Sequence, residues 1–163
     1  MTPYSEIYDQ FFHRIEEDRD FFNYYKLSDD EVMAVAKERA SAYMDEAVAR
    51  ITINCLPTID FDARTEDGTG FQEDLTPSEK FLISSLMFEQ YMERDIAYLK
   101  RLSVNYTNKE LTTFSPDNWR NSFQNMFESV QLKNLALMDK YKNTDRLTGQ
   151  YRVLDFSSFD AEG

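Results

Sequence analysis

The segment from Asp74 to Arg101 constrains the fold of this chain more than any other part of it. It begins as a helix would, because Thr76 can accept a hydrogen bond from a free backbone N–H, Pro77 suits a first helical turn, and Glu79 can complete a capping box. Apolar residues follow on one line along the helix, at Phe81, Phe88, Met92 and Leu99, and Leu82, Ile83 and Leu86 cover other sides, so the first half is apolar nearly all round. A helix of that kind is usually enclosed by its neighbours. We therefore predict a central core helix in a mainly all-α protein.

The first two helices are predicted from caps and periodicity. Thr2-Pro3 reads as a cap and first turn, before apolar residues at helical spacing: Tyr4, Ile7, Tyr8, Phe11, Phe12 and Ile15. A second capping box runs from Ser28 to Glu31. The stripe that follows it is narrow and rich in small residues, which permits close helix approach: Val32, Val35, Ala36, Ala40, Tyr43 and Ala47. This second helix is expected to end near Ile53, before Leu56-Pro57.

The last helix is predicted to start at Ser115-Pro116 by the same combination of cap and proline. One face carries Trp119, Phe123, Met126, Val130, Leu137 and Tyr141. Leu132 and Leu135 point to the other side, which predicts a second contact surface. The pattern stops at Asn143-Thr144. The fold expected is thus a helical bundle of about four helices.

Two segments depart from the helical pattern. Residues 57–74 are acidic and hold two of the four glycines, and Ile59 and Phe61 alternate only briefly. They predict a long acidic loop with room for a short strand. Residues 143–163 show a turn signal at Thr148-Gly149 and then an alternation that suits a β-strand, so we predict an extended C-terminal arm beyond a bundle domain at 1–142. The alternative is a tail that packs back on its own bundle.

The composition excludes several classes of function. A formal net charge of −12 argues against a protein that grips nucleic acid or an anionic membrane surface. One cysteine, Cys55, rules out an intramolecular disulfide and suits a reducing compartment. There is no apolar run of membrane-spanning length, and the N-terminus lacks the layout of a signal peptide. We expect a soluble protein made in the cytosol.

Candidate chemistry is sparse in the sequence. His13 is the only histidine, and Gln10 stands where a di-iron bundle would need glutamate. Cys55 has no sequence neighbour that would activate a thiol. The run from Asp60 to Thr65 starts like a calcium loop, but Arg64 takes the place of an oxygen ligand. We expect no catalytic residue, cofactor or metal, and hence a protein that is not an enzyme.

Three stretches, in order, resemble tailed-bacteriophage neck proteins of the head-to-tail connector (adaptor) type. YSEIYDQFFHRIEEDRDFF (residues 4–22) looks like their first helix, and EDLTPSEKFLISSLMFEQYM (73–92) resembles their central helix. NYTNKELTTFSPDNWRNSF (105–123) is similar to the connector in which a Phe-Ser-Pro turn opens the last long helix. The resemblance implies a structural virion protein at the head–tail junction, made in the host cytoplasm.

The resemblance also implies a set of partners. Such adaptors form a homo-oligomeric ring beneath the portal protein, extend the DNA channel, and dock the next neck or tail protein. DNA would pass as cargo and would not be bound specifically, and no membrane is involved. The alternative function is a small acidic helical regulatory protein, for instance a DNA mimic. An adaptor would form rings or bind a portal assembly, whereas a mimic would bind a basic protein as a monomer or dimer.

Two sets of candidate site residues follow. The acidic loop is expected to face the DNA channel through Asp60, Asp62, Glu66 and Asp67. The candidate interface residues lie on the last helix and the C-terminal arm: Leu132, Leu135, Arg146, Tyr151, Arg152, Val153, Phe156 and Phe159. Because Lys140, Lys142, Arg146 and Arg152 make this end locally basic, the arm is expected to dock on an acidic surface.

Overall fold

The computed structural model describes the backbone of residues 1–15, 27–105 and 116–152, and the side chains of these ranges apart from 95–120. Four helices lie within the described ranges: α1 (Tyr4–Ile15), α2 (Asp29–Cys55), α3 (Pro77–Asn105) and α4 (Pro116–Asn143). Two short strands, β1 (Thr2–Pro3) and β2 (Gly70–Phe71), form the one small sheet among these residues. The prediction of a mainly all-α helical bundle is confirmed.

Helix α3 is the centre of the bundle, as predicted, and it packs against the other three helices. Ile83, Leu86 and Met87 are completely buried along it. Its capping box also forms: the Thr76 N–H donates to Glu79 Oε2 at 2.7 Å, and the Glu79 N–H donates to Thr76 Oγ1 at 3.3 Å. The enclosure predicted for this helix is therefore correct for most faces of its first half, and the side chain of Leu99 lies outside the described residues.

Phe81 is the exception to the enclosure of α3. It was predicted to lie in the core, yet 48% of it is exposed. Its ring borders an open groove between α3 and α4, and the guanidinium of Arg14 lies 4.7 Å from the ring centroid. A cation over an aromatic face keeps the ring partly covered without enclosing it.

The small-residue stripe of α2 packs as predicted. Ala36, Ala40 and Ala47 are fully buried, so the helix backbone can come close to its neighbours. The N-terminal capping box is present, with the Ser28 N–H donating to Glu31 Oε2 at 2.9 Å. The helix ends at Cys55, two residues beyond the expected end, where Leu56 adopts a left-handed conformation with φ of 48°.

Thr2-Pro3 forms a strand, so the prediction that it caps the first helix is wrong. Thr2 pairs with Phe71, and Pro3 pairs with Gly70. The Thr2 hydroxyl accepts a 2.8 Å hydrogen bond from the Leu75 N–H, which ties the start of the chain to the start of α3. Only glycine fits at position 70, because a Cβ there would lie 2.7 Å from the Thr2 carbonyl oxygen.

The loop at 57–74 is acidic as expected, but it is built around a buried aromatic pair. Phe61 and Phe71 are both buried, with ring centroids 6.4 Å apart in an edge-to-face arrangement. The strand of this loop is at residues 70–71, and its partner is the N-terminus. Arg64 fixes the middle of the loop by donating to the Tyr4 hydroxyl and to Asp45 Oδ1, both at 3.1 Å.

Helix α4 has its expected length, but the centre of its buried face is a polar residue, Asn134, which is fully buried. Phe123, Val130, Leu137 and Tyr141 flank this centre and are half-buried. Met126, which we assigned to the same face, is 48% exposed because it lies to one side of the contact line. The side chain of Trp119 lies outside the described residues.

Asn134 belongs to a polar cluster that links all four helices. Its Nδ2 donates to Glu89 Oε2 at 2.7 Å, and its Oδ1 accepts from the Ser85 hydroxyl at 2.7 Å. Arg50 of α2 forms an ion pair with Glu89 at 2.8 Å, and Arg14 of α1 donates to the Ser85 hydroxyl at 3.1 Å. We name these five residues the inter-helix polar cluster.

The chain after α4 turns back onto the bundle. Thr144 and Tyr151 form an antiparallel bridge, and the N–H groups of Asp145 and Arg152 each donate across it at 2.8 Å, to Gln150 and Asn143 respectively. We name residues 143–152 the C-terminal hairpin. The expected extended arm therefore does not begin at residue 143. The segment at Tyr151, for which we predicted a strand, pairs with Thr144, which directly follows α4. Val153, Phe156 and Phe159 lie outside the described residues.

We predict that Leu86→Asp unfolds the protein. Leu86 is completely buried, and an unpaired carboxylate there costs several kcal/mol against a typical stability of about 5–15 kcal/mol. Circular dichroism should show loss of helicity and of cooperative melting. Leu147→Asp is the matched control, because Leu147 is 77% exposed. A Leu86→Asp protein that melts like the control would contradict the burial of this side chain.

Candidate functional site

A groove of about 360 Å³ opens where the start of α3, the end of α4 and the C-terminal hairpin meet. Pro77, Phe81 and Leu82 line it from α3, and Leu137 and Lys140 line it from α4. Thr144 and Gly149 form the hairpin side. The groove is thus mainly apolar, with a lysine at its edge. No sequence pattern predicts this groove, because its α3 wall lies about 60 residues before the walls formed by α4 and the hairpin.

Glu79 is completely buried and is hydrogen-bonded to two residues that line the groove, Tyr141 and Arg146. Besides its capping bond, it accepts hydrogen bonds from the Arg146 Nε at 2.9 Å, the Arg146 Nη2 at 3.0 Å and the Tyr141 hydroxyl at 3.0 Å. Arg146 also donates to the Asp74 carbonyl at 2.8 Å. We name Glu79, Tyr141 and Arg146 the anchor triad, because it fixes the hairpin to the start of α3.

The protonation states of the anchor triad follow from these contacts. Burial alone would raise the pKa of Glu79, but the hydrogen bonds from Arg146, Thr76 and Tyr141 outweigh it and leave the pKa below its usual value. The hydrogen bond to Glu79 raises the pKa of Arg146, and burial next to that carboxylate raises the pKa of Tyr141. With both oxygens occupied by donors, this carboxylate is suited to holding structure.

The four acidic residues predicted to face a DNA channel are all exposed on one loop. Two of them also shape that loop. Asp60 accepts from the Asp62 N–H at 2.8 Å, and Asp67 accepts from the Thr65 hydroxyl at 2.7 Å and the Thr69 N–H at 3.1 Å. The bonds from Thr65 and Thr69 lower the pKa of Asp67. Hydrogen bonds thus hold the carboxylates of Asp60 and Asp67 in place, and the position of the loop in a channel stays a prediction.

The predicted interface residues fall into three groups. Leu132 and Leu135 are 68% and 51% exposed on the side of α4 that faces away from the core. Arg146 is not available to a partner, because its guanidinium is held by Glu79 within the same chain. Tyr151 and Arg152 are exposed on the C-terminal hairpin, where the Arg152 Nε donates to the Thr144 carbonyl at 3.2 Å.

The structure adds a second apolar surface that the sequence analysis did not predict. Ile53 and Leu56, at the end of α2, are 75% and 71% exposed. The sequence contains a signal for this exposure. The buried face of α2 continues through Ile51 and Cys55, so Ile53 lies on the opposite, exposed face, and Leu56 follows the last helical residue. Two exposed apolar surfaces thus lie on the chain, one on α4 and one at the end of α2.

The residues with candidate chemistry do not converge. His13 is exposed on α1, while Cys55 is buried, and burial raises the pKa of its thiol. Among residues 1–15, 27–105 and 116–152, the side chains described include no group of three or more metal-ligating residues. None of the described helices has the length and apolar character needed to cross a bilayer.

The comparisons with known proteins add no relative. The chain matches no protein-family model, and neither the curated proteins nor the solved structures yield a match.

We predict that Arg146→Met destabilises the protein by about 3 kcal/mol, because breaking a buried ion pair leaves Glu79 buried without its cation. Arg152→Met is the matched control, since Arg152 lies on the same hairpin but is exposed and contacts only a backbone oxygen through its side chain. Urea unfolding of both variants measures the difference. Equal stability of the two variants would contradict the anchoring role of Arg146.

We also predict that the contribution of Glu79 to stability depends on pH. The pKa of Glu79 in the folded state lies below its ordinary value of 4.5, so its ionised form stabilises the fold above that pH. This stabilisation is lost as the pH falls below 4.5 and through the folded-state pKa. The difference in free energy of unfolding between wild type and Glu79→Gln should therefore shrink between pH 6 and pH 3. A constant difference over this range would show that the ionisation of Glu79 is irrelevant.

Proposed function

We propose that this protein is a structural virion protein, a bacteriophage head-to-tail connector of the adaptor type. In this role it forms a homo-oligomeric ring beneath the portal protein, extends the DNA channel and docks the next neck or tail protein. The observation that carries the proposal is the pair of exposed apolar surfaces, Leu132 with Leu135 on α4 and Ile53 with Leu56 on α2. The resemblance of the three quoted stretches and the helical fold support it.

Two different apolar surfaces on one subunit suit a ring. In a heterologous contact, one surface of a subunit meets another surface of the next, and the series closes into a ring when the rotation allows. Exposed leucine and isoleucine side chains lose contact with water in such a contact. A surface that paired only with itself would instead favour a two-fold dimer.

The acidic loop suits the passage of DNA. Asp60, Asp62, Glu66 and Asp67 are exposed, and the loop that carries them is held by buried aromatics and by Arg64. A wall of fixed carboxylates repels the phosphates of a duplex and lets it slide, whereas lysines and arginines would bind it. This supports DNA as passing cargo.

We predict that the double variant Leu132→Glu/Leu135→Glu abolishes ring formation and leaves the fold intact. Both side chains are exposed, so the charges should cost little in the monomer but oppose burial between subunits. Native mass spectrometry and electron microscopy, with and without purified portal assemblies, measure assembly, and circular dichroism measures the fold. Ser122→Glu is the control, since Ser122 is exposed on the same helix nearly three turns earlier.

Three results would contradict the proposal: a wild-type protein that neither forms rings nor binds portal, rings that survive the double variant, or equal loss in the control. The neighbouring genes give an independent check, because portal and capsid genes upstream are expected for an adaptor.

The alternative, an acidic regulatory protein such as a DNA mimic, shares the exposed carboxylates of the loop. It predicts a monomer or dimer that binds a basic protein and loses that binding when Asp62 and Glu66 are changed to Asn and Gln. These two positions are preferred because Asp60 and Asp67 also shape the loop.

A further inference from the structure

We infer that the groove beside the anchor triad is the docking site for the chain's own C-terminal segment, residues 153–163. The described chain ends at the edge of this groove. The Arg152 N–H donates to the Asn143 carbonyl at 2.8 Å, and its Nε donates to the Thr144 carbonyl at 3.2 Å. Thr144 and Gly149 are themselves groove residues. The last described residue therefore contacts a residue of the groove.

The chemistry of the groove matches that of the segment. Phe81, Leu82 and Leu137 provide an apolar surface, Lys140 lies at the edge, and the guanidinium of Arg14 lies over the Phe81 ring. Asp145 and Arg146 also line the groove, but Asp145 accepts hydrogen bonds from the Leu147 and Thr148 N–H groups within the hairpin, and Arg146 is paired with Glu79. The segment, VLDFSSFDAEG, has two phenylalanines among its apolar residues, three acidic residues, and no lysine or arginine. An aromatic anchor with flanking carboxylates is complementary to an apolar groove edged by cations. A groove of about 360 Å³ lies within the size range of sites that bury such groups.

This occupant reverses the earlier expectation of an acidic docking surface. That expectation depended on Lys140, Lys142, Arg146 and Arg152. The two lysines belong to α4, the two arginines belong to the C-terminal hairpin, and Arg146 is held by Glu79. The residues that remain beyond the hairpin carry only negative charge. Their complement is a surface with positive charge at its edge.

The tether favours the same chain over a second copy. Residues 153–163 span at most about 40 Å when fully extended. Arg152, the residue before them, contacts Thr144 of the groove. A short tether gives an effective concentration in the millimolar range, well above the concentration of another subunit in dilute solution. The inference concerns the isolated subunit and does not depend on the proposed function.

The test uses the full chain with a nitroxide label on Ser158→Cys. The native Cys55 is buried, so the new thiol is the accessible one for labelling. Methyl signals of Leu82 and Leu137 are recorded by NMR, and we expect the label to broaden them. In a mixture of labelled, NMR-silent chains with unlabelled, NMR-visible chains, these signals should stay sharp.

Lys140→Glu and Lys142→Glu form the matched pair. Both lysines are exposed on α4, but only Lys140 lines the groove. Reversing the charge at Lys140 should lower the ratio of docked to undocked segment about two- to fivefold, in line with exposed ion pairs, whereas Lys142→Glu should not.

Sharp groove signals in the labelled chain would overturn the inference. Broadening that persists in the mixed sample would assign the groove to a second copy and would likewise overturn the inference. If Lys140→Glu and Lys142→Glu changed the ratio of docked to undocked segment equally, Lys140 would not contact the segment. That result would contradict the charge complementarity on which the inference depends.

Discussion

The buried carboxylate of Glu79 is the interaction on which the arrangement of this protein depends most. It first closes the capping box of α3, and then accepts hydrogen bonds from the end of α4 and from the C-terminal hairpin. Without a cation at this position a buried carboxylate would be strongly destabilising. Arg146 therefore has to remain at the start of α3, and the hairpin remains there with it.

A second set of buried polar contacts lies ten residues further along α3, at Glu89. The inter-helix polar cluster joins Glu89 and Ser85 to Asn134 of α4, and to arginines of α1 and α2. Apolar side chains tolerate sliding, but hydrogen-bonded pairs in a low-dielectric interior do not. Moving α4 along α3 by one turn would separate Tyr141 from Glu79 and Asn134 from Glu89 together. We infer that the two carboxylates set the register of these helices.

The features that the sequence could predict are those determined by nearby residues. The capping boxes at Ser28 and Thr76, the alanine stripe of α2 and the enclosure of α3 depend on spacings of three or four residues, and all are present. The errors fall where distant residues decide. Thr2 has the composition of a helix cap, but pairing with Phe71 and Leu75 makes it a strand. Arg146 looked available to a partner because its own partner, Glu79, is 67 residues away. The groove escaped prediction for the same reason, since it exists only after α3, α4 and the hairpin meet.

The contacts of Thr2 and Arg146 have a consequence for synthesis. The first residues of the chain bind at residues 70–75, and the C-terminal hairpin binds at Glu79, so both ends of the fold need the same short segment. A ribosome adds about 5–20 residues per second, and the nascent chain can form contacts only between residues that have already emerged. The N-terminal strand must therefore wait for more than 70 residues before it has a partner. Long closures of this kind slow folding. Until that segment emerges, the aromatic side chains of α1 remain without their neighbours on α3 and the loop, which makes this interval the one in which the nascent chain is most exposed to aggregation.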